Sequence, residues 1–111
     1  MSMFTVTLSA LLLLAVTVLH SAEGKACLGC YNEISVNDKE FKKTFNKALT
    51  TANAGNFKVL KIIKAEKQVV AGFNYRVQFE ADIPGKGKKQ CKIYYFEGLK
   101  NEFEVQGMYC K

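Results

Sequence analysis

Residues 68–83 read Gln68-Val69-Val70-Ala71-Gly72-Phe73-Asn74-Tyr75-Arg76-Val77-Gln78-Phe79-Glu80-Ala81-Asp82-Ile83. From Phe73 onward the alternation is strict. Phe73, Tyr75, Val77, Phe79, Ala81 and Ile83 fall on one side; Asn74, Arg76, Gln78, Glu80 and Asp82 fall on the other. A period of two with one apolar and one polar face is the pattern of an antiparallel strand covered on one side only. The five residues before it stand where a hairpin should bend, yet they carry Val69, Val70 and Ala71 with a single closing Gly72. Bends are normally polar and rich in Gly, Asn, Asp or Pro. An apolar bend on a small protein is exposed unless a partner covers it, and exposed apolar tips are contact surfaces.

On either side of this stretch the sequence supplies the rest of a sheet. Upstream, residues 57–63 are rich in β-branched and apolar side chains, as a partner strand requires. Downstream, Pro84-Gly85-Lys86-Gly87-Lys88-Lys89 is a basic turn. Cys91, Ile93 and Tyr95 then alternate, residues 98–102 break the run, and Phe103, Val105 and Tyr109 resume it. Before the sheet, Phe41, Phe45, Ala48, Leu49 and Ala52 recur at helical spacing, with Lys39, Lys42, Lys43, Asn46 and Lys47 opposite. Ser35-Val36-Asn37-Asp38 supplies residues that start helices, Glu40 follows in the first turn, and Asn53-Ala54-Gly55-Asn56 ends the helix, with Gly55 suited to a left-handed cap. The expected fold class is α+β: one amphipathic helix packed on a four- to five-stranded antiparallel sheet.

The first 22 residues are of a different kind. Residues 1–20 hold no Lys, Arg, Asp or Glu, the stretch 8–19 is almost wholly apolar, and small residues follow at Ser21, Ala22 and Gly24. That layout is a secretory leader, and its apolar stretch is short for a span of about 20 residues. The expected organisation is a signal peptide over 1–22, with cleavage after Ala22 or Gly24, and one domain over 23–111. The formal charge of +6 lies in that domain. Its basic side chains are all Lys except Arg76. Nucleic-acid readers lean on Arg for bidentate contacts, so no nucleic-acid partner is expected. No membrane span is expected either.

Export implies an oxidising compartment, where the four cysteines, Cys27, Cys30, Cys91 and Cys110, form disulfides by default. Four cysteines allow three pairings. Cys91 and Cys110 lie in two strand-like segments of one hairpin and can face each other, which would leave Cys27 with Cys30 around Leu28-Gly29. Enzyme chemistry finds no footing. The only histidine, His20, falls in the leader, and the sequence has neither a Gly-rich phosphate loop nor a nucleophile-elbow serine. No catalytic residue, metal or cofactor is expected.

The stretch Lys67-Gln68-Val69-Val70-Ala71-Gly72-Phe73-Asn74-Tyr75 resembles the cystatins, the protein inhibitors of papain-like cysteine proteases. Their Gln-x-Val-x-Gly core stands here as Gln68, Val70 and Gly72, and the likeness runs in order from Cys27 to Cys110. The resemblance implies a reversible inhibitor that fills the cleft of a cathepsin-type protease with three segments. These are an N-terminal trunk around Gly29, a first hairpin tip of Gln68, Val69, Val70, Ala71 and Gly72, and a second tip at Gly98 and Leu99. The second tip is usually Pro-Trp, whereas this chain has no Trp. Cys91–Cys110 is similar to the family's last disulfide, and a Cys-x-Gly start is found in some invertebrate members. A monomer is expected. The alternative is a secreted protein of the same fold without strong inhibition, a cationic antimicrobial or toxin-like factor acting through its lysines.

Overall fold

The computed structural model describes Cys27 and residues 29–111. The leader expected over 1–22, together with Leu28, lies outside the described residues.

Helix α1 (Lys39–Thr51) starts where its cap is: the Asp38 carboxylate accepts from the Phe41 backbone N–H at 2.9 Å, satisfying one of the donors left open in a first turn. At its C-terminus the Ala54 N–H reaches the Leu49 carbonyl at 2.7 Å and the Asn53 N–H reaches Thr50 at 3.1 Å. These are the two bonds of a Schellman motif, with Ala54 and Leu49 both buried behind it. The left-handed residue is Asn53, at φ 61°, not Gly55 as the sequence suggested. Asn tolerates that conformation better than other residues with a Cβ, so the glycine two positions later is not needed for the cap.

Five strands form one antiparallel sheet in chain order: β1 (Tyr31–Glu33), β2 (Lys58–Val70), β3 (Gly72–Ile83), β4 (Gly87–Gly98) and β5 (Phe103–Cys110). The apolar side of β3 is the floor of the core, with Tyr75, Val77, Phe79, Ala81 and Ile83 buried, and β4 adds Cys91, Ile93 and Tyr95. Phe41, Phe45, Ala48 and Leu49 of α1 cover this floor. Phe45 meets Phe79 edge-on at 5.2 Å, and Tyr75 stacks on Tyr95 at 4.7 Å. Burying side chains of this size contributes about 1.5–3 kcal/mol each. One polar link crosses the layers. The Thr44 hydroxyl donates to the Phe41 carbonyl at 3.0 Å, so the Tyr95 hydroxyl donates to Thr44 Oγ1, also at 3.0 Å.

The sheet bends around the helix through bulges. In β2 the register slips between Val59 and Lys61 and again between Ile62 and Lys64. Each slip inserts one residue, so Val59, Ile62 and Ala65 all reach the core at a spacing of three. The inserted Leu60 and Ile63 are left exposed. Bulges raise local twist, which lets a long strand coil over a single helix. A third bulge sits opposite Tyr94 and Tyr95, which pair with Gly107 and Val105. It corrects the reading of β5. Phe103 and Val105 face the core as expected, but the extra residue inverts the parity, so Met108 and Cys110 pack inward. Tyr109 turns to the wet face, where it stacks on Tyr94 at 6.2 Å. Among the described residues no helix is long and apolar enough to cross a membrane.

Candidate functional site

Three segments far apart in sequence meet at one end of the sheet. The β2–β3 hairpin closes with Val70 paired to Gly72 and only Ala71 between them. Gly72 is also paired with Gly98, the last residue of β4, so the tip of the β4–β5 hairpin lies beside the first tip. On the other side Tyr31 of β1 pairs with Gln68, which brings Gly29 to the same edge. The apolar side chains at the two tips are open to solvent: Val69 is 56%, Val70 43% and Leu99 73% exposed. Ala71 is exposed as well.

The tip geometry depends on glycine at position 72. Its φ is 124°, and a Cβ there would lie 2.5 Å from the Glu97 carbonyl oxygen, 2.9 Å from Gly98 Cα and 3.0 Å from the Phe96 ring. Two of these neighbours are backbone, so a side chain at 72 can only be admitted by moving the tips apart. A Cβ on Gly98 would collide with the side chain of Glu102. That glutamate shapes the second tip: its carbonyl accepts from the Gly98 N–H at 2.8 Å and its carboxylate accepts from the Lys100 N–H at 3.0 Å. Asn101 takes φ 68° within the same tip.

The N-terminal segment is fixed by side chains rather than by a long strand. Gln68 Nε2 donates to the Gly29 carbonyl at 2.8 Å, while Gln68 Oε1 accepts from Asn74 Nδ2 at 2.8 Å. Asn32 Nδ2 donates to the carbonyls of Cys30 at 3.2 Å and Cys27 at 3.4 Å. Cys27 and Cys30 are joined by a disulfide that closes a four-residue ring around Gly29, whose φ is 82°. Cys91 and Cys110, paired across β4 and β5, are joined by the other. In the folded chain both ends of the Gln68 amide are engaged internally, and it positions Gly29 against the first tip. Asn32, Asn74 and Glu102 were missed. Nothing in their spacing marks them, because each works through contacts that exist only after strand pairing.

The edge itself offers apolar side chains and backbone. Among the described residues no group of three or more His, Cys, Asp and Glu stands close enough to hold a metal ion, and every cysteine is in a disulfide. What this arrangement can do chemically is bury surface: a convex ridge of Val69, Val70 and Leu99 on a backbone held by strand ladders would lose little entropy on docking.

A family model described as Cystatin domain matches residues 29–103. The chain is 38% identical over 96 residues to Cystatin Pr15a of Platymeris rhadamanthus, covering 84% of this chain and 83% of that one. It is 32% identical over 98 residues to a protein of Oryza sativa subsp. japonica named Putative cysteine proteinase inhibitor 7, covering 81% of this chain and 84% of that one. Among solved structures, a salivary cystatin from the soft tick Ornithodoros moubata superposes with a TM-score of 0.60 at 19% identity, over 77% of this chain and 99% of the other. At that identity the likeness speaks for the fold.

Proposed function

The chain belongs to the cystatin family, whose members are inhibitors rather than enzymes, and from that premise we propose that it is a secreted, reversible inhibitor of papain-like, cathepsin-type cysteine proteases. In this reading the ridge at the sheet edge enters the protease cleft and excludes substrate without any covalent step. Gly29 and its disulfide ring fill one side of the cleft, residues 68–72 the centre, and Gly98 with Leu99 the other side.

One observation carries the proposal. Three separate segments, with Gly29 and Gln68 lying 39 residues apart in sequence, converge on a single edge, and the apolar side chains of Val69, Val70 and Leu99 there are open to solvent. A fold does not gain stability from Val69, Val70 and Leu99 in water. Their transfer into a groove is worth roughly 25 cal/mol per Å² buried. Secretion is supported by the two disulfides and by the apolar leader in the sequence. The test is Val70→Asp. It keeps the fold, because the position is exposed, and places a charge in the buried centre of the interface. Inhibition of papain should fall by about 100-fold or more. Undiminished inhibition by a folded Val70→Asp chain would remove the ridge from the mechanism.

A further inference from the structure

The opposite end of the sheet holds a concave surface that the ridge does not use. It is a cavity of about 390 Å³, with Phe57, Ile83 and Met108 as apolar lining and Lys86, Lys89 and Lys111 as cationic lining. β3 carries the chain from Gly72 at the ridge to Ile83 at this cavity, a distance of roughly 35 Å at about 3.3 Å per residue. A ligand here leaves the ridge free.

We propose that this cavity binds a single-chain anionic amphiphile, a long-chain carboxylate. Lys89 carries the argument furthest. Its register partner is Ala81, and it continues the core-facing row of Cys91, Ile93 and Tyr95. A lysine at the end of an apolar row lays its methylene stem on that surface and holds its ammonium at the mouth; Lys89 is half-buried accordingly. No Asp or Glu lines the cavity. Among the described residues none of Lys86, Lys89 and Lys111 has an ion pair, since both pairs involve Glu66 on the wet face of the sheet. Lys111 is held beside the others by two backbone bonds to Gln90, at 2.9 and 3.0 Å.

The ligand class follows from the lining. An inorganic anion would satisfy the ammoniums and leave Phe57, Ile83 and Met108 unused. A neutral apolar molecule would make no use of the lysine ammoniums at the mouth. A carboxylate on an alkyl chain uses both halves. Met108 suits a chain of variable shape, because its unbranched thioether side chain adapts to irregular contacts. The volume lies within the range of small-molecule pockets, roughly 300–1,000 Å³. The basic turn of residues 84–89, which plays no part in the ridge, is explained on this reading as part of a ligand mouth.

The experiment is isothermal titration of the folded, disulfide-bonded chain with sodium oleate below its aggregation concentration. Parallel titrations use oleyl alcohol, sodium sulfate, and phosphatidylcholine vesicles containing phosphatidylserine. The expected result is saturable binding of one oleate per chain with a dissociation constant on the order of micromolar, and no comparable binding of the alcohol or of sulfate. Lys86→Glu with Lys89→Glu should weaken oleate binding by about tenfold or more, while papain inhibition, which reports an intact fold and ridge, stays unchanged. Oleate binding that survives the double substitution would overturn the proposal. So would equal binding of oleyl alcohol, or attachment to the anionic vesicles with none to monomeric oleate.

Discussion

Gly72 stands directly across from Gly98 in the β3–β4 ladder, and a methyl group on Gly72 would lie 2.5 Å from the Glu97 carbonyl oxygen. The two hairpin tips are therefore as close as backbone allows, and position 72 is where they touch. Gly72→Ala should cost about 1–3 kcal/mol of folding stability, from strain at positive φ and from the backbone contact. It should also spread the ridge and weaken protease binding. Urea unfolding followed by circular dichroism measures the first effect and papain titration the second. Stability and inhibition both equal to the parent chain would show that the tips are not in contact.

Gln68 couples the first tip to the N-terminal segment through its 2.8 Å bond to the Gly29 carbonyl. A neutral hydrogen bond contributes about 0.5–1.5 kcal/mol. Gln68→Ala should therefore weaken inhibition by a factor of about 2 to 10 and speed amide hydrogen exchange at Cys30 and Tyr31, with the core amides of β3 unaffected. Unchanged exchange at those two amides would contradict the positioning role.

Leu99 is the most exposed of the ridge side chains, and its neighbours are held by Glu102 rather than by Leu99 itself. Leu99→Trp adds a large rigid apolar surface without touching the core. Aromatic anchors carry much of the energy of protein interfaces, so papain binding should tighten by about tenfold. Equal or weaker inhibition by this variant would indicate that the second tip stays outside the cleft.

The core predicts its own alkaline limit. Burial pushes Tyr75 up to about 12, with the Glu97 charge adding to the shift. Burial also raises Tyr95, against a smaller opposing effect of its bond to Thr44. Both groups hold their protons more tightly folded than unfolded. The stability they contribute is complete below the ordinary tyrosine value of about 10 and is lost as pH rises from there through about 12. The urea midpoint should fall across that window, with tyrosinate absorbance from the two buried rings appearing together with unfolding. Ionisation of both rings near pH 10 in a chain that remains folded would contradict the burial.

How far the sequence revealed this molecule depended on whether a feature is local. The alternation from Phe73 to Ile83 sufficed for β3 and, with the helical spacing of Phe41, Phe45, Ala48 and Leu49, for the packing of one helix on an antiparallel sheet. Residues 68–72 stand out because they combine apolar side chains with a closing glycine in an unusual place, whereas Gly29, Gly98 and Leu99 are named only through the resemblance that this stretch carries. Tyr109 was misread because one extra residue in β5 inverts its face, and alternation cannot register a bulge that only a partner strand defines. The short strand β1 has three residues and no period to read. The bond from Gln68 to Gly29 was not legible, because its acceptor lies 39 residues away and comes within reach only when β1 pairs with β2. The cavity beside Lys89 was hidden for a related reason: a lysine in an apolar row reads as a surface residue until its strand register is known.

An exposed apolar ridge that acts by occupying a protease cleft must compete with substrate. The steady-state activity of papain, titrated with the folded chain at several concentrations of a peptide substrate, measures this. Occupation of the cleft gives complete inhibition at saturation, apparent affinity that falls as substrate rises, and full recovery of activity on dilution. Papain activity that stays unchanged at every concentration of a correctly folded chain would contradict it.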